Sequence, residues 1–417
     1  MGARKMTACT WKTKIISIPF VAGLLLAFEL LLYAHSFLNL AGDTVFFPNT
    51  RTGRYADPEF FAGVSRQARF TTNSMGLRGE KKKKNDLFGV FLGNSTVENL
   101  WLDDSEAIHT LLGTRLSELT GRPVVVNCGA RSGLVAAHST AQLDMLVSKG
   151  IVPDFVLVMQ GGPDFSRLHT GRFRELTQRD IRSAFQSPVF RWKPWPESSD
   201  ELMLAQYADK MLERAKNGFR GVFGLEVQRD RNGSEYPERR ANYRNAPVKL
   251  SRFPAELEAP LARSLTEFSE ATRRLIDICR KNRIMPVLVT QPLLHSEKDP
   301  EAAASLFQLR NPATKETLIF SPELHYRGLS RYAEVYRKVA KSERVPLVDL
   351  YSLMDGRLDC FYDQIHFSEK GSEVAADASA RVISSHLLEF VSASHSGAGP
   401  DRDTDSRGAV HLPNEKE

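Results

Sequence analysis

Between residues 87 and 164 the chain repeats one cycle: a short apolar run, a turn of small residues, then a helical pattern. Leu87-Phe-Gly-Val-Phe-Leu92 ends in Gly93-Asn-Ser-Thr96. Helical spacing follows over 105–119, with Ile108, Leu111, Leu112, Leu116 and Leu119 on one face, and Gly121-Arg-Pro123 breaks it. Val124-Val-Val-Asn127 leads to Cys128-Gly129, a helix over 134–149 follows, and Gly150 suits its C-terminal cap. A third run, Phe155-Val-Leu-Val-Met159, ends in Gln160-Gly-Gly-Pro-Asp164. Strands and helices that alternate with short loops predict right-handed crossovers and a parallel sheet. Near-continuous apolar strands predict a sheet covered on both faces.

The alternation stops over about 165–254, where Trp192 and Trp195 stand among prolines and a polar segment follows a helical pattern over 200–216. This stretch reads as an insertion, a lid or cap. The pattern then resumes with a helix over 257–282, a strand over 285–290, a helix over 326–342, a strand over 345–350 and a last helix that Ser368 can cap, running to about 391. Residues 41–86 read as an irregular lead-in, and the polar tail 392–417 as disordered.

Arg4, Lys5, Lys12 and Lys14 precede an apolar stretch over 15–40 that only Glu29 and His35 interrupt. A bilayer core needs about 20 apolar residues in a helix, and the flanking charge predicts a cytoplasmic N-terminus. Glu29 costs about 2.5–3.5 kcal/mol at helix centre, which the surrounding leucines offset. The reading is an uncleaved signal anchor over 1–40 in a bacterial-type inner membrane, with the body outside. A cleaved signal peptide and a buried core helix are the competing readings.

The net charge is +6 and the positive charge is spread along the chain, which argues against a nucleic-acid partner. The one dense run, Lys81 to Lys84, reads as a solvated loop. Cys9, Cys128, Cys279 and Cys360 show no metal-type spacing. Cys128 and Cys279 read as small buried hydrophobes, and a disulfide among the last three stays open. His109, His138, His169, His295 and His325 read as structural or surface residues, so neither a metal nor another cofactor is expected.

Ligands bind beyond the C-terminal ends of strands in open parallel sheets. The three small-residue turns and the loop Asp363-Gln-Ile-His366 converge on that rim. A serine hydroxyl needs a base to take its proton, and the base needs an orienting carboxylate. Ser95, His366 and Asp363 offer this set. Backbone amides of Ser95 and Gly129 are the candidate oxyanion donors. Asn94, Gly162, Trp192 and Trp195 are candidate substrate contacts; Tyr243 and the two tryptophans could equally serve packing. Asp164 reads as a residue that fixes its loop. Taken singly, Ser95 could be a helix cap and Asp363 a turn former.

At these positions the chain resembles the SGNH (GDSL-type) hydrolase family. The family's Gly-Asp-Ser block appears as Gly93-Asn94-Ser95, its second-block glycine as Gly129, its Gly-x-Asn-Asp block as Gly161-Gly162-Pro163-Asp164, and its Asp-x-x-His as Asp363-Gln-Ile-His366. Asn73-Ser-Met-Gly-Leu-Arg-Gly79 resembles a lead-in of anchored members. The resemblance implies a three-layer, flavodoxin-like α/β fold and hydrolysis or transfer of acyl esters, often on carbohydrates. Asn94 replaces the family's Asp, and Pro163 replaces an Asn that serves the oxyanion hole. Losing one such donor costs about 10²–10³ in rate. The reading that results is a serine esterase or acyltransferase on an extracytoplasmic acylated glycan or lipid. Its alternative is a weakly active or non-catalytic protein of the same fold that binds a polysaccharide or a partner.

Overall fold

The computed structural model describes residues 51–170, 236–246, 249–309 and 318–396, together with Leu24, Ala27, Val45, Phe46 and Asn49. The lead-in is not irregular. It holds a two-stranded antiparallel ribbon, β1 (Arg51–Tyr55) and β2 (Gln67–Thr71). After it, Arg78 exchanges backbone hydrogen bonds with Cys128 and its fully buried side chain enters the domain. The guanidinium donates to the carbonyls of Glu98, Asn99 and Leu102 and to the Asp104 carboxylate. The lead-in is therefore part of the core, joined to it by a charge that burial makes costly to leave unpaired.

The main body alternates as the sequence predicts. It runs β3 (Leu87–Gly93), α1 (Ser95–Glu98), α2 (Ile108–Thr120), β4 (Val124–Cys128), α3 (Ala136–Ser148), β5 (Phe155–Gln160) and α4 (Gly162–Ser166). Beyond the insertion come α5 (Tyr236–Arg244), α6 (Glu258–Lys281), β6 (Met285–Thr290), α7 (Pro300–Ser305), α8 (Pro322–Glu343), β7 (Leu347–Val348), α9 (Leu350–Leu353) and α10 (Glu369–Ser396). The five strands pair in parallel in the order β4-β3-β5-β6-β7. This is the flavodoxin-like order, with its reversal between β3 and β5.

Side-chain alternation sorts the two helical layers. Phe88, Val90, Leu92, Val156 and Val158 face α3, α6 and α8, while Leu87, Phe91, Phe155, Leu157 and Met159 face α2 and α10. Gly89 leaves room for the Phe155 ring, which a Cβ there would meet at 2.3 Å. Each fully buried Leu or Phe contributes about 1.5–3 kcal/mol.

Boundaries shift where side chains compete with the backbone pattern. The helix read over 105–119 starts at Ile108, because Asp103 takes the Ser105 amide and hydroxyl into a turn. The helix read over 326–342 starts at Pro322, with Ser321 as its cap. The strand read over 345–350 shrinks to two residues because Asp349 caps α9. The last helix continues to Ser396, into the stretch read as a tail.

Cys128, Cys279 and Cys360 are free and buried, which closes the question of a disulfide among them. Among the described residues no helix is long and apolar enough to cross a membrane. The anchor read over 15–40, apart from Leu24 and Ala27, lies outside those residues, as do Cys9, Trp192, Trp195, the helix read over 200–216 and the tail from 397 on.

Candidate active site

Ser95 stands at the switch point between β3 and β5. Asn94 precedes it in extended backbone (φ −114°, ψ −158°), and its side chain accepts the Thr96 amide, which starts α1. Ser95 is half-buried among fully buried neighbours, and its amide has no acceptor among the described residues. The sharp strand-to-helix change therefore presents one hydroxyl and one free N–H together.

The loop before α10 carries the other two groups. Phe361 and Phe367 bridge its ends, and the Tyr362 amide donates to the His366 carbonyl. Within it, Asp363 Oδ1 accepts the amides of Ile365 (2.9 Å) and His366 (2.8 Å), the local turn that Asp favours. Asp363 Oδ2 lies 2.7 Å from His366 Nδ1, and His366 Nε2 lies 2.8 Å from Ser95 Oγ. The Tyr362 ring stacks on the imidazole at 9°. Burial pushes the Asp363 carboxyl up; His366 and the two amides outweigh it and hold the carboxyl below its ordinary value. The structure thus brings Ser95, His366 and Asp363 into one hydrogen-bonded line. The histidine can take the serine proton at Nε2 while the carboxylate fixes Nδ1–H on the far side.

The expected oxyanion donors need correction. The Gly129 amide donates to Phe91 O at 2.9 Å, a continuation of the β3–β4 pairing, so it is not free for an oxyanion. Gly162 also gives its amide away, to Gln291 Oε1 at 2.7 Å, and Pro163 has none. One further amide without an acceptor among the described residues belongs to Gly133. It lies in a turn tied to the serine segment twice: Arg131 N donates to Gly93 O, and the Ser132 amide and hydroxyl both donate to Glu98 Oε2. Gly133 has φ +80° and open space where a Cβ would stand.

Two expected substrate contacts are structural instead. Asn94 is fully buried, and its Nδ2 donates to Gln160 Oε1 and Gln291 Oε1. Gln291 Nε2 in turn donates to Thr96 Oγ1. This amide network joins the ends of β3, β5 and β6. It favours Asn over Asp at position 94, because a carboxylate would face two carbonyl oxygens without a proton to give. Gly162 is buried in the same network: a Cβ would meet Ile365 and Gln291 at 2.7–2.8 Å. Tyr243 is buried with its hydroxyl on Phe320 O, so it packs and does not line a site.

Asp164 does fix its loop, because its Oδ1 accepts the Ala136 amide at the start of α3. Its other oxygen is buried without a partner. Burial pushes this carboxyl up to about 7, against the pull of the Ala136 amide and Arg167. A carboxyl raised on folding binds its proton more tightly in the native state. Its contribution therefore declines as pH rises from about 4 through 7. Asp164→Asn keeps the acceptor and removes the titration. Denaturant midpoints should be near parity at pH 4.5, with the Asn variant ahead by up to roughly 4 kcal/mol at pH 8. An Asn variant less stable at both pH values contradicts this account.

Sequence reasoning missed three residues around the line. Gln308, in the loop after α7, donates from Nε2 to Asp363 Oδ2 at 2.6 Å. Arg240 on α5 donates to Tyr362 O and Phe60 O, so the inserted helix is tied to the loop that carries Asp363. Arg78 is the third, described above. Only Arg78 left a trace in the sequence, through its place in the lead-in.

Residues 244–379 match the family model described as GDSL-like Lipase/Acylhydrolase. The matched segment contains Asp363 and His366, and Ser95 precedes it. Among solved structures the chain is similar to the psychrotrophic esterase EstA from Pseudoalteromonas sp., with 12% identity over 73% of this chain and 100% of that one, at a TM-score of 0.37. It is similar to the lipase/acylhydrolase from Enterococcus faecalis, with 15% identity over 72% and 96% of the two chains, at a TM-score of 0.36. A catalytic mutant of the acetylxylan esterase Axe2 from Geobacillus stearothermophilus is also similar, with 13% identity over 73% and 96% of the two chains and a TM-score of 0.37. No curated protein matches the chain.

Proposed function

We propose, from the premise that this chain is a serine ester hydrolase of the SGNH (GDSL-like) type, that it cleaves or transfers acyl esters of an extracytoplasmic glycan or lipid. Ser95 is the nucleophile, His366 the base and Asp363 the residue that orients it. The observation that carries this reading is the 2.8 Å contact between Ser95 Oγ and His366 Nε2, continued at 2.7 Å to Asp363.

In the first half-reaction Ser95 Oγ bonds to the ester carbonyl carbon as His366 Nε2 takes the hydroxyl proton. The carbon–oxygen bond to the leaving alcohol then breaks, and His366 returns the proton to that alcohol. In the second, water or a sugar hydroxyl bonds to the acyl carbon as His366 Nε2 takes its proton, the bond from that carbon to Ser95 Oγ breaks, and His366 returns the proton to Ser95. The Ser95 and Gly133 amides serve the oxyanion. With Pro163 in place of a third donor, turnover is expected to be slow.

The basic flank at Arg4, Lys5, Lys12 and Lys14 ahead of the apolar stretch supports a tether with the hydrolase body outside the cytoplasm. Two experiments test the reading. The full chain in detergent should release p-nitrophenolate from p-nitrophenyl acetate, with an acylation burst. No release would favour the polysaccharide- or partner-binding alternative. A reporter fused after Glu417 should be active only outside the cytoplasm, and activity confined to the cytoplasm refutes the orientation.

A further inference from the structure

Asp363 is sealed from solvent, and every hydrogen bond its carboxylate needs comes from protein. Oδ1 holds two backbone amides of its own loop. Oδ2 is shared: His366 Nδ1 reaches it at 2.7 Å and Gln308 Nε2 at 2.6 Å. Gln308 is 55 residues away in sequence. Gln364 Nε2 reaches Gln308 O at 3.5 Å, and Gln308 Oε1 is buried without a hydrogen-bond partner among the described residues. A line of hydrogen bonds therefore runs Gln308–Asp363–His366–Ser95, from the loop after α7 to the nucleophile.

We propose that Gln308 is a positioning residue of the ester-cleaving site, holding Asp363 Oδ2 in register with His366 and sharing its charge. The proposal rests on the esterase reading above. A carboxylate stabilises the imidazolium that forms when Ser95 gives up its proton. It also sets how readily that imidazolium forms before substrate arrives. A second donor on Oδ2 draws part of the negative charge, so Gln308 restrains premature protonation of the base. It also keeps a fully buried carboxylate from rotating away from the ring. It acts through Asp363 alone, so it governs the chemical step and leaves substrate binding unaffected.

Among the described residues, the other titratable or charged groups at this site are Tyr362 in the same loop, Tyr236 and Arg240 from α5, and Glu98 from α1, which acts on Tyr362. Burial raises both phenols, so they stay neutral through the working range. With both phenols neutral, none of the four changes its charge when Gln308 is replaced.

The test compares full-length wild type with Gln308→Leu and Gln308→Met, two variants without a donor, on p-nitrophenyl acetate across pH. Both should lower kcat about tenfold and move the acid limb of the kcat/KM profile about one pH unit higher, with KM within about twofold. Gln308→Glu places a second carboxyl beside Asp363 and should be worse than either at high pH. A role in folding alone would lower the denaturation midpoint and leave the profile in place, and that result overturns the proposal. So does a change confined to KM.

An NMR titration of the His366 ring in the Ser95→Ala background needs no turnover. Adding Gln308→Leu should move its midpoint upward, and an unmoved midpoint overturns the proposal. If wild type cleaves no ester yet the midpoint moves, the esterase reading fails while the positioning role stands. If wild type cleaves ester and neither the profile nor the midpoint moves, only the Gln308 proposal fails.

Discussion

Replacing Ser95 with alanine is expected to lower kcat for ester hydrolysis by about 10⁶, the scale of nucleophile loss in serine hydrolases. Among the described residues the hydroxyl is the only one bonded to His366 Nε2, and it stands beside an amide without an acceptor at the switch point of the sheet. In other enzymes of this mechanism a residual rate survives from the oxyanion donors. Here that residue should be small, because Gly129 and Gly162 have committed their amides and Pro163 has none. Asp363→Asn keeps the size of the side chain. Its cost should be about 10⁴, because an amide can hold His366 in the wrong tautomer. The double variant should be no slower than Ser95→Ala alone, since the three side chains act as one unit. Steady-state kinetics on the purified variants decides this. A fall of less than tenfold for Ser95→Ala would locate ester cleavage elsewhere.

Arg78→Ala is expected to cost about 4 kcal/mol of stability, the largest loss anticipated for a single residue outside the site. The guanidinium is fully buried and serves Asp104 and the carbonyls of Glu98, Asn99 and Leu102, and it lies 4.5 Å over the Phe70 ring. Truncation takes a donor from each of these acceptors, leaving Asp104 with only the Thr71 amide among the described residues, and leaves a hole where the side chain stood. Lysine should not rescue it, because one ammonium cannot reproduce the planar fork. The effect should extend to activity. The segment Arg78 holds includes Asn99, whose Nδ2 donates to Phe367 O beside His366. Urea denaturation with an unchanged m-value measures the loss, and a shift below about 1 kcal/mol contradicts the account.

Local signals carried far in this sequence. Strands buried on both faces, such as β3 and β5, are visible as apolar runs because no face needs polar residues. Asp363-x-x-His366 is legible because the turn and the ion pair lie within four residues. Ser95 is legible because its strand ends in small residues. What could not be read depends on partners far along the chain. Nothing in Asn127-Cys-Gly129 says that the Gly129 amide meets Phe91, and the function assigned to it fails on that one hydrogen bond. Asn94 and Gly162 look like rim residues until Gln160 and Gln291 arrive from other strands. The β1–β2 ribbon escaped notice because its strands are short and polar, with Gly53 in the first. Gln308 sits in an unremarkable stretch after an alanine-rich helix, and only the fold places it on Asp363.

The central claim is that Ser95 is a nucleophile activated by His366 and Asp363. Fluorophosphonate labelling of the full-length protein, with the adduct mapped by mass spectrometry, tests it most directly. The account predicts one adduct per chain, on Ser95, absent in Ser95→Ala and slowed by orders of magnitude in Asp363→Asn. An unlabelled wild-type chain, or an adduct on another residue that persists in Ser95→Ala, would contradict it.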